Sequence, residues 1–290
     1  MQNEKTKKLR SSFMLLLTAI IWGFAFVAQS VGIDAMGPLT FNGIRNVLAS
    51  IALIPVILLL KKKGFIEGKI LTKDAVIGGI CCGICLFAAG TVQQFGIMNS
   101  TVGKASFITA LYVIIVPILG VFAGKKSGIK LWISAAIAVA GMYMLCIENE
   151  FSLQSGDVLL LICAFLFSIH ILVIDYFSPK ANGVVLSSIQ FLVCGIMSLI
   201  GMLFFEQPTW EAIKSGWVAI AYAGLLSCGV AYTLQIVFQK DLKPAAASLI
   251  LSLESVFGAI GGWLILGEAL SKRQIWGCVV MFAAIVLAQL

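Results

Sequence analysis

The chain has 290 residues, of which 60% are hydrophobic and only 11% charged. A soluble domain carries about 25% charged residues, so the polar surface needed to cover a water-soluble globule is missing, and mean hydropathy stands at +1.05. The formal charge of +7 is spread over short connectors rather than one basic patch, which argues against a nucleic-acid partner.

Apolar runs long enough to cross the roughly 30 Å hydrocarbon layer as helices recur along the chain, and the ~10-residue alternating segments of a membrane barrel do not occur. The fold class is therefore all-α integral membrane with ten transmembrane helices, at 12–32, 40–60, 75–96, 102–123, 131–148, 157–177, 184–205, 217–238, 244–266 and 273–290. The basic run Lys5–Arg10 before span one looks like the start of a signal peptide, but the following apolar run reaches about Val31 and reads as an uncleaved span. In span one, Trp22, Phe26 and Gln29 share a helix face. Arg45 lies about a turn inside span two, where it could snorkel to the outer interface, and Pro55 should kink that helix. Span three holds Thr91, Gln93, Gln94 and the run Cys81-Cys82-x-x-Cys85. All eight cysteines lie in apolar runs, without a neighbouring histidine or carboxylate at that cluster, so they read as packing residues; no metal or cofactor is expected.

Span four carries Thr109, Tyr112 and a second internal proline, Pro117. Trp132, Trp217 and Trp276 open spans five, eight and ten, as an interfacial belt would. His170, the only histidine, sits in span six and reads as a hydrogen-bonded packing residue. Tyr232, Gln235 and Gln239 share a face of span eight. Buried glutamines either glue helices together or line a wet cavity, and both readings stand for Gln93 and Gln235. Gly79-x-x-x-Gly83, Gly120-x-x-x-Gly124 and Gly258-x-x-x-Gly262 would permit close helix approach. Span nine opens at Pro244, bears Glu254 near its middle and ends near an interfacial Glu268. An ionised group at that depth costs at least ~2.5–3.5 kcal/mol. Its neighbours Ala247, Leu251, Gly258 and Gly261 put it against other helices or a cavity. There it exchanges a proton, or holds a cationic or zwitterionic substrate, or serves as a structural carboxylate.

With the N-terminus in the cytoplasm, fifteen of the 20 basic residues fall inside, and Lys104, Lys214, Lys272 and Arg273 fall outside. The positive-inside rule thus places both termini in the cytoplasm of a plasma (bacterial inner) membrane, although the connector Leu270–Gln274 runs against it. Ala105–Leu111 matches Ala247–Leu253 at four of seven positions, 142 residues apart. The same offset pairs Gln93 with Gln235 and Tyr112 with Glu254. Two five-span halves follow, 12–148 and 157–290. Because five is odd, the second must enter the membrane from the opposite face. Such inverted repeats are typical of secondary transporters with a midplane site.

The run from Ala247 to Glu254 and on through Gly262 to Glu268 resembles the ninth helix of the drug/metabolite transporter superfamily, in its EamA branch. Trp22-Gly23, Phe41 to Arg45 and Ala105 to Pro117 resemble other recurrent features of that family. Ser255 stands where the family usually has proline, and Lys125-Lys126 where its first half often ends Gly-Glu. The resemblance implies ten helices in paired inverted halves, a cavity lined by spans one, three, four, six, eight and nine, and transport of metabolites or amino acids, often outward. The expected function is secondary-active export, by alternating access, of a small amino acid-like, zwitterionic or cationic metabolite, with proton coupling through Glu254; the alternative is a multidrug exporter of organic cations. The expected substrate-binding residues are Glu254, Tyr112, Gln93, Gln235, Trp22, Tyr232, Thr109 and Gln94. No Gly-x4-Gly-Lys-Ser/Thr loop is present, one histidine with scattered cysteines offers no enzyme site, and the absence of a central Lys or Arg clamp disfavours phosphorylated substrates.

Overall fold

The computed structural model describes residues 2–122, 124–125, 128–146, 154–266 and 271–289; the readings above for Lys126, Glu268 and Leu270 fall outside them. All regular structure among the described residues is helical. In chain order it runs α1 (Gln2–Met36), α2 (Pro38–Lys62), α3 (Lys73–Met98), α4 (Val102–Ala110), α5 (Tyr112–Phe122), α6 (Ile129–Cys146) and α7 (Ser155–Phe177). There follow α8 (Gly183–Phe205), α9 (Trp210–Ser215), α10 (Trp217–Ala221), a wide π-helical stretch (Tyr222–Tyr232), α11 (Thr233–Gln239), α12 (Pro244–Leu251), α13 (Glu254–Leu266) and α14 (Lys272–Gln289).

Among the described residues, eight runs are long and apolar enough to cross a membrane: Glu4–Met36, Pro38–Lys62, Lys73–Met98, Val102–Phe122, Ser155–Phe177, Gly183–Phe205, Trp217–Gln239 and Pro244–Ile265. The predicted fifth and tenth spans fall on α6 and α14, each 18 residues, which pack side by side. The surface is inverted relative to a water-soluble protein. Ile54, Leu58 and Leu59 on α2 and Leu203, Phe204 and Phe205 on α8 are exposed, while Gln94, Gln190, Ser187 and Ser248 are fully buried. Lipid accepts the first set, and hydrogen bonding inside the bundle must satisfy the second.

Local chemistry sets the helix ends. Pro38 opens α2 after Gly37, whose φ of 91° suits glycine. The Glu206 carboxylate, just past α8, caps that start: Leu39 N and Thr40 N donate to its two oxygens at 2.8 Å each. A negative group at a helix N-terminus meets both the orphan amides and the dipole. Thr72, Thr101 and Asn182 cap α3, α4 and α8 in the usual side-chain manner.

Close approach rests on glycines. A Cβ at Gly79 would meet Ile189 at 2.5 Å and one at Gly83 would meet Val193 at 2.7 Å, so this pair seats α3 on α8 as its spacing predicts. A Cβ at Gly277 would lie 2.7 Å from the Gly141 carbonyl, which brings α14 against α6. Gly120 and Gly124 meet almost nothing, so the second spacing pattern is not a helix contact.

Spans four and nine are each interrupted near their middle. The first is interrupted at Leu111 between α4 and α5, and the second at Ser252 and Leu253 between α12 and α13. Glu254 lies at the middle of the Pro244–Ile265 span, as expected, and is the first residue of α13.

Candidate functional site

The two interruptions are built alike. Leu111 N donates to Ile108 O and Leu253 N to Ile250 O, both at 3.2 Å. These are three-residue bonds that tighten the last turn before the chain restarts, and the two sets of residues are the ones the sequence offset equates. The hydroxyls of Ser248, Ser252 and Ser255 donate to carbonyls three residues earlier, at 3.0, 2.8 and 2.8 Å. Such back-bonding satisfies backbone that a broken helix leaves open in an apolar surrounding. The residues that restart the helices, Tyr112 and Glu254, meet: the Tyr112 hydroxyl donates to Glu254 Oε1 at 2.9 Å. Both are buried, at 3% and 4% exposure.

Around this contact lies a cavity of about 30 Å³ lined by Trp22, Ala25, Phe26, Gln29, Arg45, Gln93, Thr109, Tyr112, Phe167, Ser227, Tyr232 and Glu254. That is room for one or two waters, against the ~300–1,000 Å³ of a typical ligand pocket, so the site is closed down in this conformation. Tyr232 is the hub of its aromatic wall, with ring centroids 4.4 Å from Trp22, 6.0 Å from His170 and 6.1 Å from Phe191. The π-helical stretch presents backbone to α1. Trp22 Nε1 donates to Ser227 O at 3.2 Å and Thr18 Oγ1 to Ala231 O at 3.2 Å.

Arg45 departs furthest from its sequence reading. It does not snorkel; it is 5% exposed and lines the cavity. Its Nη1 donates to Gln29 Oε1 at 3.0 Å, and its Nε and Nη2 to Asn42 Oδ1 at 3.1 and 2.8 Å. Asn42, three residues back on the same helix face, is itself fixed by donating to Ser198 Oγ at 2.9 Å. These amides draw the guanidinium inward, where the end of α2 would otherwise have offered it water. The premise that no central cation exists is thereby overturned, and span two joins the six spans implied for the lining.

Of the eight expected binding residues, six line the cavity: Glu254, Tyr112, Gln93, Trp22, Tyr232 and Thr109. Gln93 Nε2 donates to Thr109 Oγ1 at 3.5 Å. Gln94 stands one layer behind, donating to Gln29 Oε1 at 2.5 Å. Gln235 does not reach the cavity; it donates to Gln239 Oε1 at 3.0 Å, and Gln239 in turn donates to Ile171 O at 2.8 Å. Gln239 thus ties α11 to α7, and Gln235 braces it from one turn back on the same helix. His170 Nε2 faces Gln190 Oε1 at 3.2 Å. Phe167, Ser227 and Asn42 carried no signal that singled them out; the three-residue spacing of Asn42 and Arg45 was the one pattern that could have.

Ion pairs join elements at both ends of the bundle. Lys104 meets Asp157 at 2.5 Å and Lys7 meets Asp241 at 2.9 Å; Lys125 pairs with Asp175. Beside the last pair a vestibule of about 320 Å³ opens between the end of α5, the end of α7 and the start of α12, lined by Val116, Pro117, Lys125, Asp175 and Lys243 among others. Val116 lies one turn beyond Tyr112.

The EamA-like transporter family matches the chain twice, over residues 9–147 and 154–290. An uncharacterized transporter of Archaeoglobus fulgidus is 29% identical over 288 residues, covering 99% of this chain and 88% of that protein. The uncharacterized inner membrane transporter YedA of Escherichia coli is 26% identical over 280 residues, covering 93% of this chain and 88% of its own. A solved crystal structure shares the fold at a TM-score of 0.81 and 15% identity, covering 96% of each chain.

Proposed function

The chain belongs to the EamA-like transporter family of the drug/metabolite transporter superfamily, and from that membership we propose that it is a secondary-active carrier, not an enzyme, which exports a small amino acid-like, zwitterionic or cationic metabolite by alternating access. The observation that carries this reading is the Tyr112–Glu254 contact. Two broken helices from the two matched halves meet at equivalent positions, and broken helices at a repeat interface are where secondary transporters bind their substrates.

The packing supports ten spans in two inverted halves. Each of three predicted spans lies against its own counterpart in the other half: α2 on α8, α4–α5 on α12–α13, and α6 on α14. The pairs run antiparallel. On α2 and α8, Asn42 meets Ser198 while Ser50 meets Ser188. The last two exchange bonds reciprocally, Ser50 Oγ to Ser188 O at 2.9 Å and Ser188 Oγ to Ser50 O at 3.2 Å. A two-fold axis in the membrane plane predicts this kind of reciprocal contact. The relative named as an inner membrane transporter and the lysine distribution support a plasma-membrane location with both termini cytoplasmic. In that orientation the vestibule beside Lys125 and Asp175 is the cytoplasmic entrance, and the Lys104–Asp157 pair lies at the outer end.

The test is solute counterflow with the purified chain in proteoliposomes, screening amino acids, polyamines and organic cations across pH. Saturable counterflow is expected, and Glu254→Gln should lower it by about tenfold or more, the loss of one ~1.4 kcal/mol interaction. A Glu254→Gln protein with unchanged rate and pH dependence would remove Glu254 from the mechanism. Unsaturable flux would replace the carrier by a pore. Saturable flux of bulky hydrophobic cations alone would favour a multidrug exporter, for which the aromatic wall of Trp22, Phe26, Phe167 and Tyr232 is the supporting observation.

A further inference from the structure

We propose that Arg45 is the anchor for a substrate carboxylate, so that the cavity takes a zwitterion of the α-amino acid class with its carboxylate on Arg45 and its ammonium on Glu254. This rests on the carrier reading and narrows it, because simple cations and simple anions are both excluded.

Arg45 and Glu254 are the two formally charged side chains among the described lining residues, and they have opposite signs. They do not pair with each other: neither takes part in an ion pair among the described residues. The hydrogen-bond partners of Arg45 are neutral amides, Gln29 and Asn42, and the one of Glu254 is the Tyr112 hydroxyl. Buried charges are ordinarily paired, because desolvation without a counter-charge is expensive. The guanidinium also lies over the Phe41 ring, 5.3 Å from its centroid, but neither side chain meets a formal counter-charge among the described residues. Gln29 is itself fixed by Gln94, and Asn42 by Ser198. Three of the five guanidinium N–H donors have partners, and the remaining fork geometry suits a carboxylate.

A ligand that bridges the two groups answers both. A cation without a carboxylate would satisfy Glu254 and leave Arg45 uncompensated. A carboxylate without an ammonium would do the reverse, and a phosphate would bring its charge into the cavity that Glu254 shares. Trp22, Phe26 and Tyr232 leave an apolar wall for the substrate side chain. The cavity of about 30 Å³ requires the halves to part before such a molecule enters.

The experiment compares three probes of one shape on the purified full-length protein: leucine, leucinamide, which lacks the carboxylate charge, and 4-methylpentanoate, which lacks the ammonium. Binding is read by calorimetry and by competition in counterflow. The wild-type protein should hold leucine at least about tenfold more tightly than either analogue, the scale of one lost charge-assisted contact. Arg45→Gln should weaken leucine by about tenfold or more and leucinamide by less than about threefold, so that the preference between them collapses. Gln29→Glu, which keeps Arg45 but gives it an internal carboxylate, should collapse the preference in the same way. It keeps the test decisive if Arg45→Gln does not emerge monodisperse from gel filtration. An unchanged leucine-to-leucinamide ratio in the variants, or a wild-type protein that prefers leucinamide, overturns the proposal. Saturable counterflow of tetraethylammonium with no binding of leucine also overturns it while leaving the carrier intact, whereas no saturable flux of any solute overturns the carrier reading itself.

Discussion

The Tyr112–Glu254 hydrogen bond can be weighed by a double-mutant cycle with Tyr112→Phe and Glu254→Met. The bond is 2.9 Å long and both partners are at most 4% exposed, so only a water held in the small cavity they line could stand in for either one. A buried hydrogen bond to a charged group is worth about 1.5–3 kcal/mol and a neutral one about 0.5–1.5. Cycles inside membrane proteins average ~0.6 kcal/mol with a maximum near 1.7, because the unfolded chain in lipid also finds partners. The expected coupling is therefore about 1–2 kcal/mol, read from SDS unfolding titrations of the four proteins in mixed micelles. Tyr112→Phe should cost most of that in the parent and little once Glu254 is replaced, since no acceptor is then left unpaired. Glu254→Gln keeps an oxygen for Tyr112 to donate to, so in that background the cost of Tyr112→Phe should settle near the neutral value. A coupling below about 0.3 kcal/mol, within the error of additive sites, would refute the claim that the two broken helices are joined at this point.

Glu206→Gln leaves one acceptor where two were used by Leu39 N and Thr40 N; it should cost about 1–2 kcal/mol in the same titration, and an unchanged midpoint would mean that α2 is capped otherwise. Gly277→Val places a Cβ about 2.7 Å from the Gly141 carbonyl and should destabilise by about 1–3 kcal/mol; no loss would mean that α6 and α14 lie further apart. Asp241, in the connector before α12, follows pH. Burial alone would raise its carboxyl, but the Lys7 and Ser11 hydrogen bonds outweigh that and hold it below its ordinary value of 3.8. A depressed folded value means that this carboxylate stabilises the fold fully above the unfolded value and loses its effect as pH falls through the folded one. The stability gap between the parent and Asp241→Asn should thus be constant from about pH 7 to 5 and close below about pH 4; a gap that persists undiminished at about pH 3 would mean that the contacts of Asp241 with Lys7 and Ser11 do not carry it.

The helices were legible because lipid imposes a length and a composition on each span, and no tertiary detail is needed to see either. The duplication was legible for a narrower reason. The offset that aligned Ala105–Leu111 with Ala247–Leu253 also paired Tyr112 with Glu254, and equivalent positions touch only near a two-fold axis. The breaks at Leu111 and Leu253 were not legible. Neither site has a proline or glycine at the interruption, and at the second the serine hydroxyls donate to acceptors that the backbone itself sets. The π-helical stretch Tyr222–Tyr232 was invisible for a related reason: widening a turn changes no residue type, yet it decides that the carbonyl of Ser227 faces Trp22.

Arg45 shows where one-dimensional reasoning stops. A cation near the end of a span can reach water or reach inward, and the sequence contains both routes. The choice is made by Asn42 on its own helix and Gln29 on α1, themselves fixed by Ser198 and Gln94. That choice has a functional consequence. The halves share a backbone plan, but the offset of 142 carries Arg45 onto Ser187 and Glu254 onto Tyr112. Each half thus contributes one charge to the cavity, at a position where its counterpart has none. If the halves exchange conformations by inversion, as proposed above, the two outward- and inward-facing states are alike in scaffold but not in electrostatics. A zwitterion oriented by Arg45 and Glu254 would then be presented to the two sides of the membrane with different ends foremost.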